Sequence, residues 1–343
     1  MPLLAQLPLP ERGIPTPCSG SLDALIPKDI TMTSISHLLQ LTGTKLLTDS
    51  GLETTLIFSE GMDLPCFAAY PLLESETGRA TLRSYYERHL AIAVEHRTGF
   101  ILEAPTWRAS RDWGGQLGHS PEDLESMNKS AIALLSDIRQ AARGVSPILI
   151  SGNIGPRGDG YQPDTAMTAD ESQAFHAEQI GWFADTEVDF VSAFTISTVN
   201  EGVGIIKAAR EAGLNCVLAY TVETDGRLPD GTPLSEAIRE TDARTDASAA
   251  YYMVNCAHPS HFRGALDADA DWLGRIKGIR ANASRLSHAE LDEAEELDPG
   301  NPAELGADYA ELMSILPDLT VFGGCCGTDH RHIRSIAATC CAA

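Results

Sequence analysis

Leu319-Thr320-Val321-Phe322-Gly323-Gly324-Cys325-Cys326-Gly327 is an apolar run that ends in small residues and then presents two thiols. A strand that delivers functional groups and is followed by a capped helix, here from Thr328 or Asp329, is one strand–helix unit of a parallel sheet. The same pattern recurs upstream. Strand-like runs lie near Lys45–Thr48, Gly99–Glu103, Pro147–Ser151, Val188–Ala193, Cys216–Thr221, Tyr251–Asn255, Ile276–Arg280 and Thr320–Phe322. Amphipathic stretches separate them, among them Gly78–Arg97, Pro121–Arg143, Ala169–Thr186, Asn200–Ala212 and Pro233–Thr245. Eight units of this kind predict an α/β fold, a single (β/α)8 TIM barrel. The alternative, an open doubly wound sheet, usually carries a glycine-rich fingerprint after its first strand, and the sequence has none there.

The barrel reading predicts function at the C-terminal ends of the strands. Asp49-Ser50, Glu103 to Trp107, Asn153 to Pro156, Cys256 and Cys325-Cys326 all fall at such ends. The segment Arg280 to Leu305 is an elaborated loop after strand seven. Its acidic stretch Ser287 to Leu297 suits a solvated surface helix better than a lid. Residues 1–31 read as an N-terminal arm, disordered or an extension ahead of a start at Met32, with a helix over Thr33–Leu41 opening the barrel domain of residues 32–343.

The 343 residues are 43% apolar, enough for a sizeable core, and carry a formal net charge of -23. That charge opposes binding to nucleic acid or to an anionic membrane surface, and it favours a cationic small molecule. No apolar run approaches the roughly 20 residues that span a bilayer. The N-terminus lacks the pattern of a secretory signal. Eight cysteines in a large chain without that signal predict reduced thiols and a cytoplasmic location.

Three of those cysteines form a candidate metal site. Cys256 ends the run Tyr251-Tyr252-Met253-Val254-Asn255, and Cys325-Cys326 sit in a glycine frame that permits close backbone approach and positive φ. Three thiolates and one open position suit a catalytic zinc. A mixed site that recruits His258, Asp329, His330 or His332 is the alternative, although Asp329 to His332 read as the start of a helix leading away from the barrel mouth. The second adjacent pair, Cys340-Cys341, has no glycine frame and follows a helix, so it reads as packing.

These motifs resemble the homocysteine S-methyltransferase family from about Leu46 to Ala337. The likeness is carried by Val254-Asn255-Cys256, by Gly323 to Thr328, by Thr48 to Thr54, by Ser151 to Pro156 and by Leu228 to Leu234. The resemblance implies a zinc held by Cys256, Cys325 and Cys326, and methyl transfer to the sulfur of homocysteine to give methionine. The chain is too short for the folate and cobalamin domains of the large methionine synthases and lacks the extension of the betaine-using type. The implied donor is therefore S-methylmethionine or S-adenosylmethionine.

Asp49 is the implied catalytic and acceptor-orienting residue. Ser50, Glu103, Thr106, Asn153, Phe194 and Asn255 complete the expected substrate contacts. Two departures stand out. Where the family's strand four ends in a Glu-Thr pair that holds the substrate's amino group, this chain has Phe194-Thr195. Ala104-Pro105-Thr106-Trp107 replaces an Asn-Thr-Tyr pattern. Glu103 or Glu223 is then the candidate replacement for the lost carboxylate. Otherwise the acceptor is a different thiol or a selenol, or the barrel binds zinc without catalysis. Arg108 and Arg111 suit exposed salt bridges better than carboxylate binding.

Overall fold

The computed structural model describes residues 38–161, 167–266, 270–294 and 296–341. The expected N-terminal arm and most of the helix expected over Thr33–Leu41 lie outside the described residues; Leu39–Thr42 within that stretch is a short 3-10 helix.

Eight parallel strands close into a barrel in sequence order. They are β1 (Leu46–Leu47), β2 (Gly99–Glu103), β3 (Ile148–Ile154), β4 (Phe190–Ile196), β5 (Cys216–Tyr220), β6 (Tyr251–Asn255), β7 (Ile276–Ala281) and β8 (Val321–Gly324). β1 pairs with both β2 and β8, which closes the ring. The outer helices are α1 (Glu76–His96), α2 (Pro121–Ala141), α3 (Ala169–Ala184), α4 (Val199–Glu211), α5 (Leu234–Thr245), α6 (Pro302–Ile315) and α7 (His330–Cys340). After β6 the described crossover has only short turns, such as Pro259–Phe262. The helix starts are chemically defined. Ser120 and Thr168 form capping boxes for α2 and α3, and Asp329 does so for α7.

The period of two along each strand sorts side chains between two cores. Ile101, Phe190, Phe194, Val217, Ala219, Tyr251, Met253 and Val321 fill the barrel interior. Their neighbours, among them Leu102, Val191, Leu218 and Tyr252, pack outward under the helices. The same parity carries Glu103 inward two residues beyond Ile101, and Asn255 two beyond Met253. Polar groups thus enter the barrel at its C-terminal end, where no further apolar layer covers them. No helix among the described residues is long and apolar enough to cross a membrane.

Candidate functional site

A cavity of about 430 Å3 opens at this end of the barrel. At one side of it the sulfur atoms of Cys256, Cys325 and Cys326 lie within 4.8 Å of one another, the single such ligand cluster among the described residues. Cys256 and Cys325 meet as a disulfide with Cα atoms 5.4 Å apart, while Cys326 is free. Side chains brought this close from two strand ends can pair as a disulfide, so these two thiols are the exception to the expectation of reduced cysteines. Three thiolates around one zinc need separations of about 3.8 Å, given Zn–S bonds of about 2.3 Å. The reduced cluster lies within small side-chain rotations of that arrangement, and its all-sulfur donor set suits a soft or borderline metal.

Backbone strain helps to place these groups. Cys256 (φ 53) and Thr195 (φ 63) are both left-handed, a rare conformation for a residue with a side chain and rarer for a β-branched one. A polar clamp holds them there. The Thr195 N–H donates to Asn255 Oδ1 (2.8 Å), and Asn255 Nδ2 donates to Thr195 Oγ1 (2.9 Å). The carbonyl of Cys256 accepts from Asn282 Nδ2 (3.0 Å) and from His288 Nε2 (2.6 Å). In the glycine frame, Gly327 has φ 78, as expected, whereas Gly324 is required by space: a Cβ there would overlap the Thr328 hydroxyl.

Burial pushes the Cys326 thiol up to about 11, with Glu53 nearby adding to the effect and the Tyr161 hydroxyl opposing it. A group so disposed stays neutral unless a cation offsets the thiolate charge, which fits a metal ligand. Tyr161 in turn lies 4.0 Å, centroid to centroid, from the His288 ring. Sequence reasoning missed both residues because they arrive on loops after β3 and β7, remote in the chain from the cysteines. His258 is not a ligand: it caps Pro259–Phe262 and faces Asp308. Asp329, His330 and His332 open α7 as expected.

On the other side of the cavity the dominant group is one that the sequence reading did not single out. Arg280, near the end of β7, donates from Nη1 to Asp49 Oδ1 (2.6 Å) and to the Thr48 hydroxyl, and from Nη2 to the Ser50 carbonyl (3.2 Å). Its guanidinium lies 5.1 Å from the centroid of the Phe194 ring. Glu103 is 3% exposed, and burial raises its carboxyl to about 7 despite the nearby Arg280 and the hydroxyls of Ser151 and Ser192. Ser50 bonds to His89 Nε2 (2.9 Å) and Tyr85 Oη (3.1 Å).

Asp49, Ser50, Glu103, Asn153, Phe194 and Asn255 all line the cavity. Thr106 does not; it is buried behind the wall, donating to the Asn153 carbonyl (2.7 Å). Its expected substrate contact is corrected to a supporting one.

The family profile described as Homocysteine S-methyltransferase matches residues 46–340. The chain belongs to the homocysteine S-methyltransferase family. Two crystal structures of the homocysteine methyltransferase MmuM from Escherichia coli share the fold. Its oxidised form is 17% identical with a TM-score of 0.68, covering 89% of this chain and 98% of that one. Its metallated form is 17% identical with a TM-score of 0.65, covering 86% and 96%. No curated protein sequence matches this chain.

Within this homocysteine S-methyltransferase barrel three further expectations change. Arg108 is buried, not exposed, because its guanidinium is sandwiched between Trp107 (4.0 Å) and Trp113 (3.6 Å). Arg111 does make the exposed salt bridge, with Glu178. Glu223 lies 3.2 Å from His288 Nδ1 and off the cavity wall. The acidic segment after β7 is helical only over His288–Asp292, and Leu291, Asp292, Leu297 and Asp298 line the cavity. Part of the segment thus borders the site, while Ala289, Glu290, Asp292 and Glu293 are exposed, as in a solvated helix.

Proposed function

We propose that the protein is a zinc-dependent S-methyltransferase that moves a methyl group from S-methylmethionine or S-adenosylmethionine to homocysteine, giving methionine. The observation that carries this reading is the three-cysteine cluster on the wall of the barrel-mouth cavity, in a chain of this family. Cys256, Cys325 and Cys326, once reduced, would hold the metal. Bound zinc would supply the positive charge that keeps an acceptor thiol ionised at neutral pH.

The chain's own residues do the rest. Asn255 and His288 fix the backbone from which Cys256 projects, so the ligand set is preorganised. The lining acids Asp159, Asp292, Glu296 and Asp298 favour a cationic donor at the mouth of the cavity. The aromatic side chains of Phe67, Trp107 and Tyr161 also line the cavity in which a sulfonium would bind. In the transfer, a lone pair of the acceptor sulfur forms the new S–CH3 bond. The donor's C–S bond breaks, and its electrons return to the donor sulfur, which leaves as a neutral thioether. No proton moves in that step, so the cavity needs no general acid.

Incubating reduced, zinc-loaded protein with homocysteine and each sulfonium in turn tests the reading. Methionine is the expected product, and its absence with both donors overturns it. Phe194, an aromatic ring beside the acceptor half of the cavity, favours as a second reading transfer to a different thiol or to a selenol. Product analysis with an acceptor panel separates the two.

A further inference from the structure

We propose that Glu103 is the counter-ion of the acceptor's ammonium group, and that Arg280 has withdrawn Asp49 from direct contact with it. The proposal rests on an amino-acid thiol being the acceptor and names the residue that would select it.

The charges at this side of the cavity do not balance. Asp49 and Arg280 neutralise one another at 2.6 Å, and Arg280 is held further by Thr48 and Ser50. Drawing Asp49 toward a substrate would leave a buried guanidinium unpaired, which is costly. Phe194, which also lines the cavity, has its ring centroid 5.1 Å from that guanidinium. Glu103 has no ion pair of that kind: Arg280 acts on it only through space, and the Ser151 and Ser192 hydroxyls are its neutral neighbours. Its Oε2 is buried and accepts no hydrogen bond among the described residues. Two residues along β3 from Ser151, which is in register with Glu103, Asn153 Oδ1 is also an acceptor without a donor. Both residues line the cavity.

Buried acceptors are almost always satisfied in folded proteins, so two of them on one cavity wall mark a place for donors. An ammonium brings three N–H groups and a positive charge and can meet both. A carboxylate or an alkyl group can meet neither. Of the other lining carboxylates, Glu53 lies near both Cys326 and the Asp49–Arg280 pair, and Asp159, Asp292, Glu296 and Asp298 are on the segments after β3 and β7. Burial also raises the pKa of the Glu103 carboxyl, although Arg280 and the hydroxyls of Ser151 and Ser192 oppose the rise.

Calorimetric titration of reduced, zinc-loaded protein with homocysteine and with 4-sulfanylbutanoate, which has the same thiol and carboxylate but no amine, tests the proposal. The wild type should bind homocysteine more tightly by on the order of 10- to 100-fold, the range for a hydrogen bond to a charged group. Glu103→Gln should bring that ratio close to one, and Glu103→Asp should give an intermediate value and covers the case in which the first variant fails to fold. The melting temperature of Glu103→Gln should not fall, because an amide keeps an acceptor for the Ser151 and Ser192 hydroxyls and the carboxyl has no cation in direct contact to lose; a residue with a purely structural role would show a fall. An unchanged ratio in the variant, or equal binding of both thiols by the wild type, overturns the proposal. If homocysteine binds with the expected ratio but no methionine forms, the transfer reading fails and the role of Glu103 stands.

Discussion

At the sulfur side of the cavity, Cys256, Cys325 and Cys326 are placed by backbone: two strand ends, a glycine frame and a left-handed turn clamped by Asn255, Asn282 and His288. At the opposite side, Asp49, Glu103 and Arg280 are placed by charge, drawn from β2, β7 and the turn after β1. The first arrangement tolerates little change in main-chain shape. The second is a balance of buried charges in which removing one member changes the energy of the others. A barrel can therefore keep its metal chemistry constant while exchanging the groups that recognise the rest of the substrate.

The largest effect should come from the sulfur side. Cys326→Ser removes one of the three ligands, and zinc measured by elemental analysis of reduced protein should fall from about one equivalent to below about 0.1. Methyl transfer should drop by at least about 1000-fold, with the fold intact by circular dichroism. Retention of stoichiometric zinc would show that the cluster is not the metal site. Arg280→Met, at the other side, should leave zinc content unchanged and cost about 3–5 kcal/mol of stability in urea unfolding, because it strands Asp49 in the interior. Adding Asp49→Asn should recover much of that loss, since a buried ion pair removed as a whole is nearly neutral. Equal losses in the single and double variants would mean that the pair is not coupled.

The two sides also differ in how far the sequence revealed them. Cys325-Cys326 between glycines is a local signal, and Asn255-Cys256 completes it at the next functional strand end. Neither required knowledge of which strands are neighbours. Closure into a (β/α)8 barrel was legible for the same reason, since each strand–helix unit announces itself within about 30 residues. Arg280 was not singled out, because its significance lies in a bond to Asp49, 231 positions away. Strand parity could have found it: Gly278 and Arg280 follow the inward register of β7, and an inward arginine at a strand end needs an acid. That part of the acidic segment after β7 borders the cavity was not legible, because its composition is that of a solvated helix. Leu291 and Leu297 line the cavity from this segment, a placement with no short-range signature.

Glu103→Gln sharpens the comparison through pH. In the folded wild type the carboxyl is raised from 4.5 to about 7, so the folded state holds a proton that the unfolded chain has released. The stabilisation linked to that proton is fully present below pH 4.5 and is lost as the pH rises to 7. The variant lacks this loss. Its stability relative to wild type should grow from near zero at pH 4.5 to on the order of 3 kcal/mol at pH 8, measured by urea unfolding without ligand. His89, lowered to about 4 by burial, pulls the wild-type curve the other way, but it is present in both proteins and cancels in the difference. A pH-independent difference would mean that Glu103 has an internal cation as partner, and the charge asymmetry between the two sides would disappear.

The smallest effect should come from Ser50→Ala, which asks what pins the turn carrying Asp49. His89 Nδ1 is 2.9 Å from the Tyr85 carbonyl, which can only accept, so the ring proton lies on Nδ1. Nε2 must then accept, and the Ser50 hydroxyl at 2.9 Å is its donor. Without that hydroxyl a buried imidazole nitrogen has no donor, a cost of about 1–2 kcal/mol. Tyr85 Oη still donates to the Ser50 carbonyl at 3.0 Å, so the turn should keep its place and methyl transfer should fall by less than about tenfold. A larger fall in activity with little loss of stability would move Ser50 from the scaffold of α1 and β1 into contact with the substrate.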